Sequence, residues 1–177
     1  MLKIFSTQFN GVINKILNQK DEQIEDSARL LVQAITANGT IYLYCKDELN
    51  VLLTEAIHSL EPIPQVIRWD GIMPTTIHPA DRFIIAARSN EDERVIELAK
   101  AIQKEHGLAI GISSVTNKEL AGLESIVDIH IDLHCKSGLV PDDNGHRVGN
   151  ATSLAALFVL FGIRLSLNEI LNEQLDD

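Results

Sequence analysis

Short apolar runs alternate along the chain with stretches of helical periodicity, and this alternation predicts an α/β domain with a parallel sheet. Thr40–Cys45, Arg82–Ala87 and Leu108–Ser113 have the length and composition of buried strands. Between the second and third runs, apolar residues recur at helical spacing from Val95 to Ile102. Ligands of such strand–helix–strand units bind where a strand ends and a helix begins, which here is the polar stretch Arg88–Glu93.

Helical patterns precede and follow this core. Met1–Gln19 and Asp21–Asn38 each place apolar residues at helical spacing, which predicts an N-terminal pair of helices. Leu154–Phe161 has no polar face, so we expect the sheet on one side of it and a second copy of the chain on the other. Ser166–Leu175 continues as an amphipathic helix. Because the first helix also has a wide apolar face, we predict a homodimer or a higher homo-oligomer.

The stretch Ile126–Leu133 alternates apolar and polar residues, the pattern of a strand with one buried and one polar face. His130, Asp132 and His134 share the polar face, and imidazoles with a carboxylate are ligands that suit zinc. The same residues also suit the exposed face of an edge strand, where polar groups prevent further pairing. No cysteine pair or HExxH motif supports zinc, so we predict neither a metal nor another cofactor.

A hairpin is predicted over Ser137–Gly149, because Asn144-Gly145 supplies the positive φ angles of a tight primed turn. The last helix begins directly after it. Its start combines open backbone amides with polar side chains and two basic residues, which together favour contact with an anion or a sugar. The residues concerned are His146, Arg147, Asn150, Thr152 and Ser153. Asn150 or Thr152 as a simple N-cap is the other interpretation.

These elements fit one domain over residues 1–177, a three-layer α/β/α sandwich with a mostly parallel sheet of five strands. The N-terminal helices occupy residues 1–38 and the strand–helix core residues 40–134. The hairpin follows at 137–149, and the C-terminal helices occupy 150–175. A chain of 177 residues is long enough to bury a core of this kind.

Composition narrows the classes of partner. The net charge of −10 argues against nucleic acid or an anionic membrane as a partner. Cys45 and Cys135 are too few for a disulfide scaffold, and Met1–Ser6 does not have the apolar segment of a signal peptide. The longest apolar run, Leu154–Ile163, is too short to span a bilayer. We therefore expect a soluble cytoplasmic protein.

Two segments of the core resemble a known family. Glu93–Lys100 reads Glu-Arg-Val-Ile-Glu-Leu-Ala-Lys, and Ile110–Ser114 reads Ile-Gly-Ile-Ser-Ser. Both resemble the corresponding unit of SIS (sugar isomerase) domains, nearest the phosphoheptose isomerase-like branch. The spacing of Arg147, Gly149 and Ser153 is similar to a pattern of the same branch. The resemblance implies a carbohydrate derivative, phosphorylated or not, as the ligand, and N-terminal helices that pack against a partner subunit.

The loops that bind phosphate in that family are altered here. Of the family's three hydroxyl positions, only Ser89 keeps a hydroxyl; the other two fall on Ala87 and Asp92, and Asn90 replaces a glycine. The loop after the first strand, Lys46–Asn50, contains no glycine, so we do not expect the left-handed turn that brings amides to an anion. Ser89 or Asn90 as the N-cap of a solvated helix is the simpler interpretation of the second loop.

Two functions remain open. A phosphosugar isomerase needs a base near the carbon acid and a polarised carbonyl, and the candidate bases are His146, His134 and, more weakly, Glu48. The alternative is a non-catalytic protein that binds a metabolite or assembles with itself after losing the phosphate loops. For either function, the candidate ligand-binding residues are Arg88, Ser89, Arg147, Asn150, Thr152 and Ser153. We expect Arg147 to contribute more to binding than Ser89.

Overall fold

The computed structural model of the protein, which describes residues 1–117 and 119–176, contains a sheet of five parallel strands. The strands are β1 (Ile41–Cys45), β2 (Val66–Arg68), β3 (Arg82–Ser89), β4 (Leu108–Ser114) and β5 (Ile129–Asp132). Their order across the sheet is β2-β1-β3-β4-β5, so β3 is central and β5 lies at one edge. The predicted parallel five-stranded sheet is confirmed.

Helices cover both faces of the sheet. They are α1 (Leu2–Thr36), α2 (Val51–His58), α3 (Glu93–Lys104) and α4 (Thr152–Asp176), with short 3-10 helices at Asp47–Asn50 and Leu123–Ser125. Alternate residues of β3 point to opposite faces. Ile84 and Ala86 pack in the core formed with α1, α2 and α4, whereas Phe83 and Ile85 pack in the core formed with α3. The result is the predicted three-layer α/β/α sandwich.

The predicted pairs of helices at the two ends of the chain are each a single helix. α1 runs without interruption from Leu2 to Thr36. No proline or glycine separates the two apolar patterns at Gln19–Asp21, so the backbone hydrogen bonds continue through that stretch. Ile16 and Ile24, on either side of it, are both buried in the same core. α4 likewise continues past residue 165, with Ile163 and Leu167 buried.

α4 is a long, strongly apolar helix. Over Thr152–Gln174 its mean hydropathy of 1.8 meets the length and composition requirements of a membrane-spanning helix, although core helices of soluble proteins meet them too. In this fold it packs against α1, and Ala155 and Val159 have no exposed surface. Its other side presents Phe161 and Leu165, which are 42% and 65% exposed. The predicted contact with a second copy therefore has a surface available.

The predicted hairpin is confirmed, with β6 (Val140–Pro141) antiparallel to β7 (Arg147–Val148). Its turn differs from the predicted two-residue primed turn. Among the residues of the turn, only Gly145 has a positive φ, of 83°. The Asp142 carboxylate accepts hydrogen bonds from the backbone N–H groups of Asn144 (2.9 Å) and His146 (2.8 Å). Because these bonds stabilise a longer loop, a positive φ at Asn144 is not required.

Candidate functional site

The strand order places one crevice where ligands of open α/β sheets are expected. β1 is followed along the chain by β2 on one side, whereas β3 lies on its other side, so the winding direction changes between β1 and β3. The segment after β1, Lys46–Asn50, faces Arg88–Asp92, which comprises the end of β3 and the loop after it. We call the space between them the switch-point crevice.

Two ion pairs join the two segments across the switch-point crevice. Arg88 donates from Nε and Nη2 to Oε1 and Oε2 of Glu48, both at 2.7 Å. Lys46 Nζ donates to Oδ2 of Asp92. The hydrogen bonds from Arg88 lower the pKa of Glu48, and the hydrogen bond to Asp92 raises the pKa of Lys46. Glu48 is therefore a weaker base than an isolated glutamate, and the two cations are already paired with carboxylates.

The start of α3 is occupied by a side chain of the protein itself. Asp92 is the N-cap, and its Oδ1 accepts hydrogen bonds from the N–H groups of Arg94 (3.0 Å) and Val95 (3.3 Å). The prediction of Ser89 or Asn90 as the N-cap is wrong, because a carboxylate at position 92 reaches these amides directly. An incoming anion at this helix start would have to compete with the Asp92 carboxylate.

Ser89 and Asn90 hold the crevice loops together. Ser89 Oγ accepts a hydrogen bond from the N–H of Glu91 and lies 3.1 Å from Thr116 Oγ1. Asn90 has no exposed surface. Its Oδ1 accepts from the N–H of Thr116 at 3.0 Å, and its Nδ2 donates to Glu124 at 2.7 Å. Asn90 therefore acts as a structural clamp between three loops.

The loop after β1 contains the left-handed conformation that its lack of glycine seemed to exclude. Asp47 has a φ of 51°, and its carbonyl oxygen accepts a hydrogen bond from Asn50 Nδ2 at 2.7 Å. Aspartate tolerates this conformation better than most residues, because its short polar side chain bonds locally. The expectation from the missing glycine is therefore wrong for the backbone, while the added negative charge of Asp47 remains.

Of the polar side chains of β5, Asp132 is buried and His130 is half-buried, so neither is exposed as on an ordinary edge strand. Asp132 is 6% exposed, and its Oδ1 accepts from the N–H groups of Val115 (3.0 Å) and His134 (2.9 Å). His130 lies 2.8 Å from Ser113 Oγ, and burial lowers its pKa to about 4. These side chains therefore have structural partners. Within residues 1–117 and 119–176, no group of three or more His, Cys, Asp or Glu side chains could hold a metal.

A second candidate site lies between α1, the segment after β5 and the hairpin. It is an open cavity of about 470 Å³. Its basic residues are Lys15, His134, Lys136 and Arg147, and we call it the basic pocket. The remaining lining residues are Gln8, Gly11, Val12, Ser137, Gly138 and Leu139. No aspartate or glutamate is among the described residues that line it.

Local contacts position the side chains of the basic pocket. Arg147 Nε donates to the carbonyl oxygen of Gly138 at 2.9 Å, which fixes one edge of the guanidinium. Lys136 Nζ donates to the carbonyl oxygen of Thr116 at 3.2 Å. His134 follows β5 with a φ of 55°, and its Nδ1 lies 3.2 Å from Asp132 Oδ2. The structure thus brings together His134 and Arg147, two residues that sequence reasoning had assigned to different roles.

Lys15 and Lys136 were not among the candidate residues. Lys15 lies in the middle of α1, and Lys136 follows β5 by four residues. Neither belongs to a motif, and only the packing of α1 beside β5 brings Lys15 to the same cavity as Arg147. A weak signal was available, because basic residues that follow a strand of a parallel sheet lie at its ligand-binding edge.

The other predicted site residues lie outside the basic pocket. His146 is at the hairpin tip with its side chain 78% exposed, and its Nδ1 is 3.4 Å from Asp142 Oδ2. Asn150 Oδ1 accepts hydrogen bonds from the N–H (2.9 Å) and the hydroxyl (2.6 Å) of Thr152. The Asn150 side chain thus satisfies the first backbone amide of α4, and Ser153 follows in the first turn.

The two cysteines do not provide a nucleophile. Burial raises the pKa of Cys45 to about 12 and that of Cys135 to about 11. At neutral pH both are thiols, and a thiolate is the form that attacks a substrate.

Comparison with known proteins gives a family and a fold. Residues 1–171 match the family described as Domain of unknown function (DUF2529). The Bacillus subtilis (strain 168) protein Uncharacterized protein YwjG is 37% identical over 173 residues, which cover 98% of this chain and 99% of that protein.

Solved structures share the fold at low sequence identity. The Vibrio vulnificus NanR protein complexed with ManNAc-6P superposes with a TM-score of 0.69 at 12% identity, covering 99% of this chain. The chain spans 64% of the length of the NanR chain. Protein MJ1247 of Methanococcus jannaschii, for which a 3-hexulose-6-phosphate isomerase function is inferred, gives a TM-score of 0.68 at 15% identity, covering 97% of this chain and 90% of that one. The predicted SIS fold is confirmed.

Proposed function

The chain belongs to the DUF2529 family and has the SIS fold, and from this premise we propose that it binds a carbohydrate derivative without isomerising it. The neighbours with this fold include a protein complexed with ManNAc-6P and a protein with an inferred 3-hexulose-6-phosphate isomerase function. A ligand of the carbohydrate class is therefore the natural expectation for the fold, while the chemistry depends on this chain's own residues.

One observation supports the non-catalytic assignment above the others. In the switch-point crevice, four charged side chains are engaged with other groups of the protein. Glu48 is paired with Arg88, Lys46 with Asp92, and Asp92 also caps α3. A phosphate that entered at the start of α3 would meet the Asp92 carboxylate and two amides that already donate to it. Its binding there would require breaking these contacts first.

Isomerisation also needs a base that is placed at a ligand and ready to accept a proton. Glu48 accepts two hydrogen bonds from Arg88, which lowers its pKa. His146 is exposed at the hairpin tip beside Asp142. Two of the three candidate bases are therefore in unsuitable surroundings, which supports binding without turnover.

The third candidate base supports a second candidate function. His134 lines the basic pocket, and its Nδ1 lies 3.2 Å from the carboxylate of Asp132. A carboxylate on Nδ1 orients an imidazole and stabilises its protonated form, as in general-base catalysis. Isomerisation with His134 as the base is therefore the alternative. It requires the reacting carbon of a sugar to lie in the basic pocket.

We place this function in the cytoplasm. Cys45 and Cys135 are both free and buried, which suits a reducing compartment, and the net charge of −10 favours a soluble protein. The ligand is a small molecule, and a second copy of the chain is the expected protein partner.

The proposal is tested by calorimetry and NMR on the same preparation. Hexose, pentose and heptose phosphates, sugar acids and amino sugars are titrated first, and each ligand that binds is then incubated with the protein. We expect at least one carbohydrate derivative to bind and no interconversion of aldose and ketose forms. A SIS-fold isomerase serves as the positive control for turnover. Conversion that disappears in His134→Gln would instead establish the alternative function.

A further inference from the structure

The basic pocket concentrates positive charge in an acidic protein. The chain has 15 lysines and arginines against 25 aspartates and glutamates. Lys15, Lys136 and Arg147 nevertheless line a single cavity together with His134, and no carboxylate belongs to its described lining. An anion in this cavity would therefore meet basic side chains and no carboxylate of the described lining.

The four groups come from three separate parts of the chain. Lys15 belongs to α1, His134 and Lys136 to the segment after β5, and Arg147 to β7. A run of neighbouring basic residues would be explained by a solvated loop, but here tertiary packing brings them together. Their convergence around a cavity of about 470 Å³ matches the size of small-molecule sites, which lie between roughly 300 and 1,000 Å³.

The Arg147 contact also suits anion recognition. A guanidinium carries five N–H donors, and the bond from Nε to the Gly138 carbonyl uses one of them. That bond holds the group on the pocket wall, and an ordered guanidinium can donate in parallel to two oxygens of a carboxylate or a phosphate. Lys136 is held similarly through the Thr116 carbonyl at 3.2 Å.

We infer that the basic pocket binds the anionic group, phosphate or carboxylate, of the protein's ligand. Gln8 and Ser137, which also line it, provide neutral hydrogen-bonding groups that suit hydroxyls beside that anion. This inference deepens the proposed function: the carbohydrate part of the ligand rests on that proposal, and the anionic group rests on the pocket itself.

The basic pocket is a different place from the switch-point crevice. The crevice lies between β1 and β3, whereas the pocket lies beyond β4, at the end of the edge strand β5. Because the two sites are separate, substitution of Ser89 tests the crevice, and substitution of Lys136 or Arg147 tests the pocket. Thr116 lies between them: its hydroxyl contacts Ser89, and its carbonyl oxygen accepts a hydrogen bond from Lys136.

Calorimetry on the full chain tests the inference with four probes: inorganic phosphate, glucose 6-phosphate, gluconate and glucose. The variants are Arg147→Gln and Lys136→Gln, with Ser89→Ala for the crevice. Lys100→Gln is the matched control, because Lys100 is exposed on α3 and its loss changes the net charge equally. We expect at least one anionic probe to bind more tightly than glucose. Arg147→Gln and Lys136→Gln should each weaken it by about tenfold or more, while Ser89→Ala and Lys100→Gln leave it nearly unchanged.

A second measurement does not depend on how the variants fold. In the wild-type protein, the amide NMR signals of Ser137 and Gly138 should shift when the anionic probe is added. The inference is overturned if no anion binds, if Lys100→Gln weakens binding as much as Lys136→Gln does, or if Ser89→Ala causes the largest loss. Phosphate binding in the pocket without binding of any carbohydrate would leave the inference standing and remove the proposed function. If a sugar binds while the amide signals of Ser137 and Gly138 stay unchanged, the proposed function stands and the inference about the basic pocket is overturned.

Discussion

Single side chains at the switch-point crevice satisfy groups that a ligand would otherwise contact. Asp92 accepts from two amides of α3 and pairs with Lys46, and Glu48 accepts from Arg88. Exposed ion pairs of this kind add little to stability, about 0–1 kcal/mol each. We propose that they act on ligand specificity, because an anion at the start of α3 would compete with the Asp92 carboxylate.

His130 gives a prediction at the same scale. Its pKa of about 4 in the folded protein lies below the value of about 6.5 in an unfolded chain. Between these two values the unfolded state binds more protons, so stability falls as the pH is lowered from 6.5 to 4, by up to about 1.4 kcal/mol per pH unit. Above pH 6.5 the residue is neutral in both states and contributes no pH dependence.

Urea unfolding at a series of pH values measures this effect. We expect His130→Gln to have a shallower loss of unfolding free energy than the wild type between pH 6.5 and 4. His146→Gln is the control, since the side chain of His146 is 78% exposed. Parallel curves for the wild type and His130→Gln would show that burial does not shift the titration of His130.

At the scale of elements, the Asp92 cap of α3 leads to a prediction about phosphate binding in the crevice. Asp92→Ser should keep a capped helix, because serine caps about as well as aspartate. It removes the carboxylate from the helix start and leaves Lys46 without its partner. We expect affinity for inorganic phosphate at this helix start to rise about fivefold, equivalent to about 1 kcal/mol of helix-terminus interaction.

Phosphate titration followed by ³¹P NMR checks the gain. Both proteins should carry Arg147→Gln, so that the basic pocket does not contribute. Glu105→Ser, at the other end of α3, changes the net charge by the same amount and serves as the control. An equal gain in both variants would mean that net charge, and not the helix start, limits phosphate binding.

The elements themselves were largely predictable from the sequence. The strands from Arg82 and Leu108 are continuous apolar runs, and the helix between them has a clear apolar face, so local pattern and tertiary structure agree. Two N-terminal helices are predicted because Asp21-Glu22-Gln23 has the acidic residues that favour the first turn of a helix. Only the packing of α1 along α4 shows that it is one helix.

The candidate site was much less predictable. His134 and Arg147 were recognisable as chemically useful residues, but nothing in their spacing shows that they share a cavity with Lys15. The left-handed backbone at Asp47 and the capping by Asp92 depend on which of several possible hydrogen bonds the folded structure makes. Loops offer many near-equivalent hydrogen bonds, and tertiary context chooses among them.

At the scale of the whole molecule, the exposed apolar side chains of α4 and α1 lead to the prediction of a homodimer or a higher homo-oligomer. Leu154, Phe161 and Leu165 on α4 are 42–65% exposed, and Leu2 on α1 is 80% exposed. Burying such a side chain is worth about 1.5–3 kcal/mol. A second copy of the chain would cover these residues.

Sedimentation equilibrium at micromolar concentration measures the oligomeric state. We expect a dimer or larger assembly for the wild type and a shift toward monomer for Leu165→Lys. Leu120→Lys is the control, because Leu120 is similarly exposed (56%) but belongs to a loop and not to α1 or α4. A stable wild-type monomer would contradict the prediction.

The central claim, binding of a carbohydrate derivative without isomerisation, is tested most directly by one NMR experiment in D₂O. Saturation-transfer difference spectra first identify the sugar derivatives that contact the protein. The same samples are then followed for replacement of the proton next to the sugar carbonyl by deuterium. An isomerase that transfers this proton exchanges it with solvent even when the sugar equilibrium does not move. We predict saturation transfer to at least one carbohydrate derivative and no deuterium incorporation; incorporation that stops in His134→Gln, or no saturation transfer to any carbohydrate, would contradict the account.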